Sequence, residues 1–261
     1  MLFLLRKIRR KLLSQNKVTS YLFYAVGEII LVVVGILIAI SIDNWNHKNN
    51  ETAQEQIILR QLQAEYAENL KQLEEKMYMR NQMLEAANRI LSYIDNPSGV
   101  HRDSLIFDIG MVIRDPTFDP IQNDLIASGN IRLIRNDTLR KILSNWTSDV
   151  YQVQEIELEW QKIRSEFINP FTIEIGIQRD IADIIWKDGY TPVEALDQNI
   201  SIVNKVGPSK KAPSTREILQ NRELEGIAAI TITYSQIGNI QSQALRDRIL
   251  LINNYISQDL H

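Results

Sequence analysis

Cysteine is absent from the 261 residues, so a disulfide framework and any thiolate-ligated metal are excluded, and a chain without thiols is compatible with an oxidising compartment. Histidine is scarce: the three copies, His47, His101 and His261, stand too far apart in sequence to read as a metal motif. No glycine-rich phosphate loop occurs, and the Ser128-Gly129 pair lacks the G-x-S-x-G setting of a nucleophile elbow, which leaves it as a helix terminus. No catalytic constellation is visible, no cofactor is implied, and the chain reads as a non-enzyme.

Basic residues are short where nucleic-acid binding would want them. Six of the 29 lysines and arginines precede residue 18, and one of the 32 acids, Glu28, lies in the apolar run that follows. The remainder carries 23 basic against 31 acidic residues. An acidic remainder gives no support for a nucleic-acid partner.

What is present is one long apolar run, residues 21–42, which as a helix rises ~33 Å and matches a hydrocarbon core of ~30 Å. Arg6, Lys7, Arg9, Arg10, Lys11 and Lys17 precede it with no accompanying acid, so the positive-inside rule places residues 1–20 in the cytoplasm as a short basic tail. Leucines and isoleucines interleave with those cations, as in a helix lying against anionic headgroups. Aromatic residues mark both borders, Tyr21, Phe23 and Tyr24 inside and Trp45 outside. The run is longer than a signal-peptide core, Ala39-Ile40-Ser41 is a poor cleavage site, and a helical pattern continues beyond it, all of which favour an uncleaved signal anchor. The expected topology is single-pass in the cytoplasmic (inner) membrane, with residues 43–261 as a periplasmic domain.

Within the run, Glu28, Val32, Gly35 and Ala39 fall at i, i+4, i+7 and i+11, so an acid shares a helix face with two small residues that permit close packing. Glu28, Gly35 and Ala39 are therefore the candidate site. The expected partners are the lipid bilayer and, through this face, either a second copy of the chain or another membrane protein. An interfacial glutamate that snorkels toward water beside Lys17 is the plainer alternative.

The stretch Tyr24-Ala25-Val26-Gly27-Glu28-Ile29-Ile30-Leu31-Val32-Val33-Val34-Gly35-Ile36-Leu37-Ile38-Ala39, closed by Asp43-Asn44-Trp45-Asn46, resembles the N-terminal signature of a family of uncharacterised single-span membrane proteins of Bacteroidetes, domain of unknown function 6090. A second block, from Asp124-Leu125-Ile126-Ala127-Ser128-Gly129-Asn130 through Arg140, is similar to that family's central motif. The resemblance implies a single span and carries no activity with it.

Beyond the span the pattern is all-α and predicts a long-helix antiparallel bundle. From Asn50 to Ile94, Leu70, Met77, Leu84 and Leu91 repeat every seven residues beside a second series, Leu59, Tyr66, Leu73, Ala87 and Ile94, which Arg80 interrupts. With no breaker between Trp45 and Asp95, the span is expected to continue into this helix, which stops at Asp95-Asn96-Pro97-Ser98-Gly99. A short helix is expected within His101 to Arg114, and another from Pro120, capped by Asp119 and closed by Gly129. Asn136 should cap a long helix to about Ile168, whose apolar steps include Trp146, Val153, Trp160 and Phe167, with Pro170 stopping or bending it. Helical spacing resumes over Phe171 to Trp186, where β-branched content leaves a strand possible. An irregular connection around Gly207-Pro208 then leads to a final helix from Thr215 or Asn221 to Asp259, with apolar steps that include Ile232, Ile237, Ile240 and Leu245.

Two charge clusters have plain readings. The acids Asp103, Asp108, Asp115, Asp119 and Asp124 suit caps and turns better than a calcium site. Arg132, Arg135, Arg140 and Lys141 read as a solvated face paired to nearby acids, with an acidic or phosphate partner as the alternative.

The function expected from these readings is that of a membrane-anchored structural, scaffolding or partner-binding subunit. A periplasmic ligand sensor, or a single-span component of an ion-coupled machine using Glu28, are the alternatives.

Overall fold

The computed structural model describes residues 18–121, 125, 128–187 and 206–261. Among them the secondary structure is entirely helical. Helix α1 is Val18–Asp95. The chain divides at Ile58/Leu59 into two compact units.

In the N-terminal unit α1 contains an eighteen-residue window of mean hydropathy 2.8, none of it buried, the one stretch among the described residues long and apolar enough to cross a membrane. Ser41 Oγ donates to the Leu37 carbonyl at 2.8 Å and Thr52 Oγ1 to the Lys48 carbonyl at 2.7 Å, so both hydroxyls are satisfied within the helix.

The second unit is built on three long helices: the later part of α1, α3 (Asp137–Ile163) and α7 (Arg222–Asp259). Tyr66 meets Trp146 and Arg80 meets Glu157, so α1 and α3 run parallel. Gln63 meets Ser257, Glu74 meets Arg246 and Asn81 meets Asn239, so α7 runs antiparallel to α1. Shorter helices α2 (Arg102–Val112), α4 (Asn169–Glu174), α5 (Gln178–Lys187) and α6 (Thr215–Leu219) gather at one end. There Met83, Ile90, Ile106, Trp160, Phe171 and Ile181 belong to one apolar cluster. Gly110 lets α2 approach α5 closely, since a Cβ there would stand 3.3 Å from both Ile181 and Ile185.

The helix signals act as their chemistry requires. Asn136 Oδ1 accepts from Leu139 N at 3.0 Å at the start of α3. Both expected starts of the last helix are used: Ser214 and Glu217 form a capping box for α6, and Asn221 caps α7.

Three expectations are corrected. No helix starts at Pro120, because Thr117 to Ile121 is irregular and its peptide groups bond to side chains of α1 and α3; residues 122–124 and 126–127 lie outside the described residues. Gly129 does take the left-handed conformation, φ 73°, but it precedes a 3-10 turn, Asn130–Leu133. Of the two outcomes expected at Pro170, a stop or a bend, the stop does not occur, since a π turn, Arg164–Ile168, carries α3 into α4. That turn adds one residue to the repeat, so Ile168 takes the core position and Phe167 is 64% exposed. The outer isoleucines of the last helix, Ile237 and Ile240, are exposed as well. The buried series on α7 is Leu224, Ala228, Thr231, Ser235, Gly238, Ser242, Leu245, Ile249, Ile252 and Ile256, alternating steps of four and three without a break.

Candidate functional site: an uncovered helix face, a buried ion pair and a polar cleft

Glu28, Gly35 and Ala39 are all exposed on α1, and a Cβ placed on Gly35 would meet nothing within 4 Å. Among the described residues of the N-terminal unit, nothing covers the face that the spacing assembles. His47 and Asp43 sit one turn apart at 3.7 Å beyond it.

In the bundle, the strongest chemistry was not among the candidates. The core series of α1 steps by three and four through Leu59, Leu62, Tyr66, Asn69, Leu73, Lys76, Arg80 and Met83, so three of its core positions hold polar side chains, each buried to 5% exposure or less. Arg80 pairs with Glu157, which occupies the matching core position on α3 between Val153 and Trp160. Arg80 Nη1 also donates to Ser242 Oγ at 2.8 Å, and Nη2 to the Pro116 carbonyl at 3.2 Å. The other Glu157 oxygen accepts from Phe118 N at 2.9 Å. Gly238 makes room for the guanidinium, since a Cβ there would lie 3.0 Å from Arg80 Nε. Burial pushes the Glu157 carboxyl up, to about 7, against the opposing pull of Arg80 and Lys76. Burial also lowers the Arg80 guanidinium. The pair forms a polar layer with apolar packing on either side, and only one axial alignment of α1, α3 and α7 brings Arg80 to both Glu157 and Ser242.

The same layer holds the segment from Arg114 to Ile121 against α1 and α3. Trp160 Nε1 donates to the Arg114 carbonyl at 2.9 Å, and Gln154 Nε2 to the Phe118 carbonyl at 3.2 Å. Gln72 accepts from Asp119 N at 3.1 Å, while Asn69 both accepts from Ile121 N at 2.7 Å and donates to its carbonyl at 3.1 Å. Side chains thus replace the ladder that a neighbouring strand would supply, and Phe118 is fully buried.

The acids around the prolines serve structure. Asp108 accepts two bonds from Arg89 Nε and Nη2, and Asp115 pairs with Arg164 at 2.8 Å. Arg140 pairs with Asp137 and donates to the Ile134 carbonyl at 2.8 Å, the paired face expected for it. Asp124 lies outside the described residues. A cavity of about 430 Å³ opens near Arg102, Asp103, Asp180, Asp183 and Lys210. Asp180 is engaged on both oxygens, by Arg102 at 2.7 Å and by Ser209 N at 2.6 Å, and Asp183 accepts from Gly207 N at 2.9 Å. These acids pin the residue 206–214 connection onto α5. The cleft is polar, whereas a small-molecule sensor site is predominantly apolar with a few converging polar groups.

Glu157 carried a signal that sequence reading passed over: it sits in unbroken four-and-three spacing on an otherwise apolar series, opposite an arginine in the same situation. Among the described residues no three His, Asp or Glu side chains converge as a metal ion would need.

Residues 28–97 match the model of a family described as a family of unknown function, DUF6090. This is the family that the Tyr24–Ala39 stretch resembles, and the match covers about a quarter of the chain, 70 of 261 residues. No curated protein and no solved structure matches the chain.

Proposed function

We propose that this protein is a membrane-anchored helical bundle that acts without enzymatic chemistry, as a structural or partner-binding subunit of a complex in the cytoplasmic membrane. In this reading residues 1–20 face the cytoplasm, residues 21–42 span the bilayer, and the bundle lies in the periplasm. The observation that supports it most is the contrast between the two units. The apolar window is wholly exposed, whereas the bundle closes its own polar layer with Glu157, Ser242 and the Pro116 carbonyl. An exposed apolar helix needs lipid, and a face carrying Glu28, Gly35 and Ala39 fits a second helix within the lipid. Glu28 there makes an interhelical hydrogen bond or ion pair.

The test is purification of the full chain in mild detergent followed by mass spectrometry, for wild type, Glu28→Gln and Glu28→Leu. The reading expects a defined membrane complex that survives in the glutamine variant and is lost in the leucine variant. A wild-type chain that emerges alone as a monomer overturns it. Loss in both variants means that a charge or proton is required, and favours an ion-coupled role.

A further inference from the structure

Asn69 and Arg80 are engaged by hydrogen bonds in the core series of α1. Lys76, which lies between Leu73 and Arg80 in that series at 5% exposure, makes no hydrogen bond or ion pair with any described residue. A buried ammonium without a counter-charge is costly, so a lysine at a core position calls for an acid. Its four-carbon stem lets the ammonium turn either to water or to an acid inside the layer.

Helix geometry brings one acid within reach. Side chains of a helix lean toward its N-terminus, so the Arg80 guanidinium, and the Glu157 carboxyl that it holds, stand over the turn of α1 that carries Lys76. The carboxyl feels this neighbour, since Lys76 pulls it down against the push of burial. Asp115 also acts on the carboxyl, but Arg164 occupies it at 2.8 Å.

We propose that Glu157 has a second partner in Lys76, one turn behind the first, so that the polar layer can close in two ways. In the arrangement seen, Arg80 alone ties α1 to α3 through Glu157, to α7 through Ser242 and to residues 114–121 through the Pro116 carbonyl. In the other, Lys76 takes the carboxylate and Arg80 keeps Ser242 and Pro116. The guanidinium then turns toward Ser235, whose side chain lines a small void beside Arg80 and Glu157. Phe118 N–H stays on the second carboxylate oxygen in both. The exchange separates ties that a single side chain holds together: α3 is fastened by Lys76 and α7 by Arg80, and the two helices can shift against each other while the carboxylate stays paired.

Melting of the purified full chain at pH 8, followed by circular dichroism, tests this through Lys76→Met in three backgrounds: wild type, Arg80→Leu, and Arg80→Leu with Glu157→Gln. Glu157 is ionised there, its carboxyl standing at about 7. Without Arg80 the carboxylate has only Lys76, so Lys76→Met should lower the melting temperature by about 3 °C or more beyond its effect in wild type. That extra loss should vanish once Glu157→Gln is added, because no carboxylate is left to hold. If the leucine chain does not fold, Arg80→Gln takes its place, since its amide still donates to Ser242 or the Pro116 carbonyl. An effect of Lys76→Met that is the same with and without Arg80 overturns the proposal and leaves a lysine whose ammonium only reaches water. An extra loss that persists with Glu157→Gln overturns it too, and gives Lys76 a packing role alone.

Discussion

Breaking the Arg80–Glu157 layer one side at a time should give unequal losses that do not add. Glu157→Leu leaves a guanidinium at 3% exposure with only the Ser242 hydroxyl and the Pro116 carbonyl as neutral partners. Arginine cannot shed its proton, so the uncompensated charge costs about 3 to 5 kcal/mol. Phe118 N also loses its acceptor, at about 1 to 3 kcal/mol. Arg80→Leu is milder, about 2 to 4 kcal/mol, because Glu157 can neutralise itself, its carboxyl already standing at about 7, and still accept from Phe118 N. The double leucine variant buries no charge. Its cost is the two orphaned backbone groups, Phe118 N–H and the Pro116 carbonyl, at about 1 to 3 kcal/mol each. The singles therefore overshoot the double by roughly 3 kcal/mol or more. Urea unfolding of a fragment covering residues 43–261, followed by circular dichroism for the four proteins of the cycle, measures this directly. Losses that add within about 0.5 kcal/mol would show that the two side chains do not act as a unit, and would refute the layer.

Because the Glu157 carboxyl rises from 4.5 to about 7 on folding, the native state holds a proton that the unfolded chain has released between those values. The group therefore favours the fold below pH 4.5, and this contribution fades as pH climbs to about 7, by on the order of 3 kcal/mol. Wild type should lose that much relative to Glu157→Gln between pH 4.5 and pH 8 in urea melts; parallel pH profiles would contradict it. Trp146, 7% exposed and edge-to-face with Tyr66 at 4.8 Å, should cost about 3 to 5 kcal/mol as Trp146→Ala, seen as a lowered melting temperature of the fragment. Gly238→Val should destabilise by about 1 to 3 kcal/mol in wild type by crowding the guanidinium, and by less in an Arg80→Ala background.

The sequence made the helices legible wherever the stop and start chemistry was local. Asn136, Ser214, Asn221 and Asp95-Asn96-Pro97 mark real boundaries because each acts through bonds to its own neighbours. Trp146 and Trp160, fourteen residues apart, are both buried as their four-turn separation requires. From Leu59 to Ala87 the second series on α1 is the buried one, Arg80 included, while Leu70, Met77, Leu84 and Leu91 are half-buried at its flank, as is Ile94. What stayed hidden depends on distant partners. Asp119-Pro120 reads as a helix start, and Asn69, Gln72, Gln154 and Glu157 from other helices make an irregular course cheaper. Reading the last helix by hydrophobicity finds Leu224, Ala228, Leu245, Ile249, Ile252 and Ile256 on the buried stripe but adds Ile232, Ile237 and Ile240, which lie off it. The true stripe passes through Ser235, Gly238 and Ser242, small because an arginine from α1 fills the space. In the N-terminal unit the spacing of Glu28, Gly35 and Ala39 on one helix face was readable, and all three are exposed.

The central claim is that the apolar part of α1 holds this bundle in a bilayer, and alkaline carbonate extraction of membranes from cells expressing the full chain tests it most directly. The account predicts that the chain stays in the pelleted membrane and that it moves to the supernatant once residues 21–42 are deleted. Release of the intact chain by carbonate alone would contradict it.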